Sequence, residues 1–151
     1  MADTGKDLCR IAGFNNILLA TDGSESAEAA IQEAINIAQG CAGKLYAVSV
    51  VEVNPEYEAL APQLVEKAEN ETREHLEAIK ERASKAGVNC EIIAHQGEEP
   101  YQYIVEEASK KKADMIVMGS HGRTGLKRLM MGSVTSRVIG HAPCKVLVVP
   151  C

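Results

Sequence analysis

Five short apolar runs alternate along the chain with segments whose apolar residues recur at helical spacing. The predicted strands are residues 16–21, 45–51, 88–94, 115–118 and 145–149. Strands that alternate with helices form a parallel sheet, with right-handed crossovers and helices on both faces. The runs lack strict alternation of apolar and polar residues, which is typical of strands buried on both faces. The sequence therefore predicts an α/β fold around a five-stranded parallel sheet.

The intervening segments carry the start and stop signals of four helices. Ser24 or Ser26 can cap the first helix, and Gly40 and Gly43 are expected to end it. The second runs from about residue 62 to 86 after a loop at residues 54–55, the third begins near residue 100, and the last spans residues 134–141. At 151 residues the chain is expected to be one domain, 15–151, behind a flexible N-terminal tail at 1–14.

Charge is distributed unevenly along the chain. After Asp114 no Asp or Glu occurs in the remaining 37 residues. That stretch carries +5, whereas the whole chain carries −5, so residues 1–114 carry −10. Its five cations are Arg123, Lys127, Arg128, Arg137 and Lys145. Such a basic, acid-free stretch is suited to phosphate, although a solvated basic loop is the simpler alternative.

The same stretch contains a spaced set of glycines between a predicted strand and a predicted helix. Gly119 and Gly122 are followed by Gly132 and Ser133, with nine residues between Gly122 and Gly132. A strand, a glycine-rich loop and a helix N-terminus together form an anion site, because backbone N–H groups are left unpaired there. The coincidence of charge with glycine spacing favours a phosphate ligand.

Several function classes are not favoured by the sequence. There is no P-loop, no G-x-G-x-x-G after the first strand and no G-x-S-x-G. Aromatic residues make up 3% of the chain and the net charge is acidic, which argues against nucleic-acid binding. No apolar run approaches the roughly 18 residues of a membrane span, and the first ten residues lack the apolar region of a signal peptide. We therefore expect a cytoplasmic protein without a membrane or nucleic-acid partner.

Two motifs carry a resemblance to a known family. Leu-Leu-Ala-Thr-Asp-Gly-Ser at the first strand and Gly-Ser-His-Gly-Arg-Thr-Gly after the fourth stand in the expected strand–loop–helix context. From about Asn16 onward the chain resembles the UspA-like universal stress proteins, specifically their ATP-binding branch. The resemblance implies a Rossmann-like fold (adenine nucleotide alpha hydrolase-like), with strand order 3-2-1-4-5 and helices on both faces.

The resemblance also implies an adenine-nucleotide site. The residues that it assigns to the phosphates are Gly122, Gly132 and Ser133, with further contacts from Val134 and Thr135 and a basic neighbour in Arg123. Gly119 would lie by the ribose, and Val50 and Met118 would pack on the adenine. Ala20, Thr21 and Asp22 would line the floor, with Ala20 making a backbone contact where some members have Pro. Asp22 would lie near a phosphate-bound Mg²⁺, although it could instead cap the first helix.

The leading interpretation is an ATP-binding stress-response and signalling module, in which the nucleotide is the signal. No acid–base pair and no P-loop lysine are evident, which argues against an enzyme. The alternatives are a slow Mg²⁺-dependent ATP hydrolase or self-phosphorylating protein that uses Asp22, and an ATP-pyrophosphatase or nucleotidyl-transfer enzyme. The family resemblance also suggests a homodimer through the last strand, Lys145 to Val149, which is very apolar for a sheet edge.

Overall fold

The computed structural model describes residues 14–120 and 132–150. Its strands are β1 (Asn16–Ala20), β2 (Lys44–Glu52), β3 (Cys90–Gly97), β4 (Met115–Gly119) and β5 (Lys145–Val149). Its α-helices are α1 (Glu28–Cys41), α2 (Pro55–Leu60), α3 (Pro62–Lys85), α4 (Pro100–Lys110) and α5 (Ser133–His141), and a 3₁₀ turn at Glu25–Ala27 precedes α1. The predicted tail lies almost entirely outside the described residues, as do Gly122 and Arg123.

The five strands form one sheet in the order β3-β2-β1-β4-β5, with every neighbouring pair parallel. This Rossmann-like arrangement confirms the predicted fold class and strand order. The central strand β1 is buried on both faces, since Ile17, Leu18 and Leu19 are all 0% exposed. Burial on both faces is the reason that this strand reads as a continuous apolar run.

Alternate residues of the sheet contribute to two separate cores. Ile17 and Leu19 pack with residues of α1 and α3 on one face. Leu18 and Ala20 pack with residues of α4 and α5 on the other face. Successive side chains of a strand point to opposite faces, so α1 and α5 lie on opposite faces of the sheet. The connection from β1 to α1 and the connection from β4 to α5 therefore leave the sheet on opposite sides.

The structure differs from the predicted elements mainly at their ends. The segment at residues 54–55, expected to be loop, starts the short helix α2, because the Asn54 side chain accepts a hydrogen bond from the Tyr57 amide at 2.7 Å. Strand β3 begins two residues later than predicted and continues to Gly97. Strand β1 ends at Ala20 rather than at residue 21.

Gly43, which follows α1, has a role other than the predicted one of ending the helix. The left-handed residue after the helix is Ala42, with φ 54°, rather than a glycine. At Gly43 a Cβ atom would lie 2.9 Å from the Phe14 carbonyl oxygen and 3.1 Å from that of Asn15. This glycine therefore allows the chain before β1 to approach β2 closely, a role that sequence spacing does not reveal.

Two further features of the described residues are the burial of Cys90 and the composition of the helices. Cys90 is buried, with 6% of its surface exposed, and burial raises the pKa of its thiol to about 11. Among the helices in residues 14–120 and 132–150, none combines the length and apolarity needed to cross a bilayer.

Candidate functional site

A cleft opens at the carboxyl edge of the sheet, where β1 and β4 lie side by side. The β1 connection leads to α1 on one face and the β4 connection leads to α5 on the other. In open α/β sheets, such a point is where ligands bind, because the two departing loops leave a crevice between them. The cleft has a volume of about 210 Å³.

The structure brings most of the predicted site residues together in this cleft. Ten of the twelve line it: Ala20, Thr21, Asp22, Val50, Met118, Gly119, Gly132, Ser133, Val134 and Thr135. The remaining two, Gly122 and Arg123, lie outside the described residues. Five lining residues were not predicted: Ala27, Val48, Glu52, Pro100 and Ile104.

One end of the cleft is formed by the N-terminus of α5. The first hydrogen bond of this helix runs from the Ser136 amide to the Gly132 carbonyl at 3.0 Å. The amides of Ser133, Val134 and Thr135 precede that bond, so they are the donors that a helix cannot pair internally. A helix N-terminus also carries a partial positive charge, and this end of the cleft is therefore suited to an anion.

Two hydrogen bonds fix the helix N-terminus against the end of β4. The Gly132 amide donates to the Ser120 carbonyl at 2.8 Å, and the Thr135 hydroxyl donates to the Gly119 carbonyl at 2.9 Å. Gly132 therefore contributes close approach rather than its own N–H group. Thr135 is 3% exposed, so its hydroxyl contributes mainly to positioning the helix.

The loop after β1 forms the floor of the cleft. Asp22 Oδ1 accepts hydrogen bonds from the Ser24 amide at 3.0 Å and from the Ser24 hydroxyl at 2.6 Å. This is the two-residue reach of an Asx turn, and it lies before the 3₁₀ turn that leads into α1. The alternative that Asp22 caps the first helix is therefore not what the structure shows. Gly23, with φ 78°, takes the left-handed conformation that this tight turn requires.

A histidine from a distant helix contacts Thr21, one of the residues of this floor. His75 of α3 lies with Nε2 2.9 Å from the Thr21 hydroxyl oxygen, and the Gly23 amide donates to the same oxygen at 3.4 Å. Thr21 is 7% exposed, so these contacts hold its side chain against the sheet. No sequence signal points to His75, because it stands 54 residues from Thr21 and belongs to no motif.

The other end of the cleft is apolar. Val48, Ile104 and Met118 are at most 5% exposed and lie beside Val50. Strand β2 extends four residues beyond its last partner in β1, since the register ends at Ala20 opposite Val48. The Thr21 amide donates to the Val48 carbonyl at 3.0 Å, so even-numbered residues of β2 direct their backbone groups towards β1.

Beyond the end of β1 these backbone groups face the cleft. The amide and carbonyl of a strand residue point to the same side, and successive residues alternate. Val50 therefore presents one donor and one acceptor beside the apolar surface. A flat heterocycle with a polar edge fits this combination.

Carboxylates are sparse in the cleft, which limits how a metal ion could be held. Asp22 and Glu52 are the carboxylates among its described lining residues. Within residues 14–120 and 132–150 no group of three or more His, Cys, Asp or Glu side chains could hold a metal ion. A cation at Asp22 would thus need most of its ligands from a bound molecule or from water. Mg²⁺ bound to a nucleotide takes most of its ligands from phosphate oxygens and water in this way.

Comparison with known proteins identifies the family. The sequence model of the universal stress protein family matches residues 13–150. The chain belongs to this family. Universal stress protein MJ0531 of Methanocaldococcus jannaschii is 41% identical to it over 140 residues, which cover 90% of this chain and 82% of that protein.

Solved structures of universal stress proteins share its fold. UspA from Lactobacillus plantarum aligns with a TM-score of 0.80 and 29% identity, covering 90% of this chain and 97% of the other. A universal stress protein in complex with cAMP aligns with a TM-score of 0.63 and 27% identity, covering 91% and 97%. The resemblance to the UspA-like family that the two sequence motifs indicated is therefore confirmed.

Proposed function

We propose that this universal stress protein binds ATP in the cleft between β1 and β4 and acts as a nucleotide-dependent stress-response and signalling module. One observation carries the proposal: a single cleft combines a helix N-terminus with an apolar end where, among the described residues, the edge of β2 extends beyond β1. An adenine nucleotide has the same two parts, an anionic tail and a flat apolar base. The similar protein in complex with cAMP supports the choice of an adenine nucleotide.

The phosphates are assigned to the α5 end. The amides of Ser133 and Val134, with the Ser133 hydroxyl, are the donors, and Gly132 lets the backbone approach the phosphate oxygens. Gly122 and Arg123 are assigned to the same phosphates from their place in the glycine motif. A few charge-assisted hydrogen bonds of about 1.5–3 kcal/mol each, less ordering terms, are sufficient for binding near −8 kcal/mol, or about micromolar affinity.

The base is assigned to the apolar end. Val50 and Met118 pack on the ring, and the Val50 amide and carbonyl match adenine N1, an acceptor, and the adenine amino group, a donor. The ribose then lies beside Gly119, between the two ends of the cleft. The residues present therefore fit a whole adenine nucleotide and not only its phosphates.

Magnesium is assigned to the nucleotide rather than to a protein cage. When bound, Mg²⁺ neutralises phosphate charge, and Asp22 is placed on the cleft floor to supply one carboxylate. The Asx turn made with Ser24 uses one oxygen of this carboxylate and fixes its direction.

Two measurements test the proposed function. Mass spectrometry of the purified protein should detect a copurifying adenine nucleotide, and calorimetry should give about micromolar affinity for ATP with Mg²⁺. An absence of heat for every adenine nucleotide, on folded protein, would overturn the proposal. A signalling module should release no phosphate, whereas steady release that is lost in Asp22→Ala would support the slow hydrolase instead.

We also propose that the protein is a homodimer through β5, which is an edge strand of the sheet. Ser120 donates its amide to the Val149 carbonyl, so odd-numbered residues of β5 pair with β4, and Val146 and Val148 direct their backbone groups to the outer edge of the described sheet. An apolar edge strand of this kind favours pairing with another strand.

Val148→Pro is expected to convert this dimer to a monomer. Proline removes the outward N–H group but leaves the β4 ladder intact, because an edge strand tolerates proline where its N–H faces away from the sheet. Sedimentation velocity at micromolar concentration checks the change, with Val148→Thr as the control that keeps the amide. A monomeric wild-type protein would contradict the dimer, and a Val148→Pro variant that stays dimeric would place the interface elsewhere.

A further inference from the structure

We propose that Glu52 selects adenine over 6-oxopurines by accepting a hydrogen bond from the adenine amino group. The inference rests on the proposed nucleotide binding and adds a specificity residue to it. Glu52 is the last residue of β2 and lines the cleft, yet its place in the sequence, beyond the apolar run, gives no sign of a ligand contact.

The position of Glu52 follows from the strand. Side chains of alternate residues share one face of a sheet, so Glu52 lies on the same face as Val48 and Val50, which also line the cleft. It pairs with Gly97 of β3, and the Tyr103 ring lies where a Gly97 side chain would begin, beside Glu52 on the same face. Within the described part of the chain, the Glu52 side chain makes no hydrogen bond or ion pair, unlike Glu91, Glu99 and Glu107. Its carboxylate is therefore available to a molecule in the cleft.

The direction of β2 determines which edge of the base meets this carboxylate. Along the chain the Val50 amide comes first and its carbonyl second, so adenine N1 lies opposite the amide and the amino group opposite the carbonyl. One hydrogen of the amino group is then used by the Val50 carbonyl. The other hydrogen of the amino group points further along the strand, towards Glu52. Glu52 is two residues beyond Val50, and a strand rises by about 3.3 Å per residue.

Charge explains why the carboxylate distinguishes bases. A carboxylate repels phosphate, so it belongs at the end of the cleft remote from the α5 N-terminus, where the neutral base lies. Guanine and hypoxanthine carry an oxygen in place of the amino group, and that oxygen is an acceptor. Placing it beside a carboxylate brings two acceptors together without a proton between them, so no hydrogen bond forms between the base and Glu52.

The experiment compares the dissociation constants of ATP and ITP, which differ at this purine position and at N1. We expect wild-type protein to favour ATP, and we expect Glu52→Ala to reduce the ATP-over-ITP ratio about tenfold, the usual effect of losing one charge-assisted hydrogen bond. Glu52→Gln keeps a neutral acceptor and should lose about threefold. The matched control is Glu56→Ala, which removes an exposed carboxylate that does not line the cleft and should leave the ratio unchanged.

The ratio separates hydrogen bonding from general electrostatics. Removing a negative charge from the cleft strengthens the binding of both triphosphates equally, so that effect cancels in the ratio. If wild-type protein binds ATP and Glu52→Ala retains the full preference, the role of Glu52 is overturned and the proposed function stands. If neither nucleotide binds to wild-type protein, both are overturned.

Discussion

Gly132→Val is expected to abolish ATP binding while the protein remains folded. Gly132 is buried and lines the cleft immediately before the first amides of α5, which the helix does not pair internally. A branched side chain here would occupy the space through which the phosphate approaches those amides. Loss of two charge-assisted hydrogen bonds of about 1.5–3 kcal/mol each predicts an affinity at least about a hundredfold weaker.

The fold should tolerate this substitution because the backbone at Gly132 is not glycine-specific. Its φ of −58° and ψ of 150° lie in a region that valine adopts readily. The hydrogen bonds of its amide to the Ser120 carbonyl and of its carbonyl to the Ser136 amide involve the main chain alone. We therefore expect cooperative unfolding, with a stability change of about 1 kcal/mol, typical of a single substitution.

Gly140→Val is the matched control on the same helix. An added Cβ at Gly140 meets no atom within 4 Å, and the residue lies at the opposite end of α5 from the cleft. Calorimetry should therefore give wild-type affinity for Gly140→Val and no measurable heat for Gly132→Val. Binding of ATP by folded Gly132→Val within threefold of wild type would mean that the phosphates do not approach α5 at Gly132.

The sheet could be predicted from the sequence because its signals are local. The run at Ile17–Leu19 is apolar at every position because both faces of β1 are covered, and the helical spacing between strands specifies the parallel topology. The boundaries were less accurate. Helix α2 was missed because its evidence is a single Asn-Pro pair that also occurs in ordinary turns.

The site was predictable where a motif spans it and not where the chain returns from a distance. Gly119, Gly132 and Ser133 share one spaced pattern, and the structure places all three in the cleft. His75 reaches Thr21 only because α3 packs across the sheet, and Ile104 lines the cleft only because α4 covers the other face. Contacts of this kind are set by tertiary packing, which no local pattern encodes.

The roles of predicted residues also needed coordinates. Gly132 was expected to admit an oxyanion, but the engagement of its own amide with the Ser120 carbonyl is visible only in the fold. Glu52 is the last residue of an otherwise apolar strand, where a glutamate usually marks a solvated end. It lines a cleft because β1 ends four residues earlier in the register than β2 does.

The second large effect is expected at the amino-terminal edge of the sheet, and it concerns the stability of the fold rather than ATP binding. Asp114 Oδ2 accepts hydrogen bonds from the backbone amides of Asn15 and Asn16, each at 2.8 Å. The Asp114 amide donates in return to the Asn16 carbonyl at 2.8 Å. This reciprocal set joins the start of the central strand β1 to the start of β4.

Asp114→Ala is expected to lower the free energy of unfolding by about 2–3 kcal/mol, because two backbone amides lose a charged acceptor. For a chain of this size the melting temperature should fall by roughly 5–10 °C. Asp114→Asn keeps an acceptor oxygen without the charge, so about half of the loss is expected. The ATP affinity of the folded variants should equal that of wild type, because Asp114 lies at the edge of the sheet opposite the cleft. Urea unfolding and calorimetry on the same samples check both quantities. A wild-type melting temperature in Asp114→Ala would show that these hydrogen bonds contribute no net stability, and a tenfold loss of affinity in the folded variant would show that the two edges of the sheet are coupled.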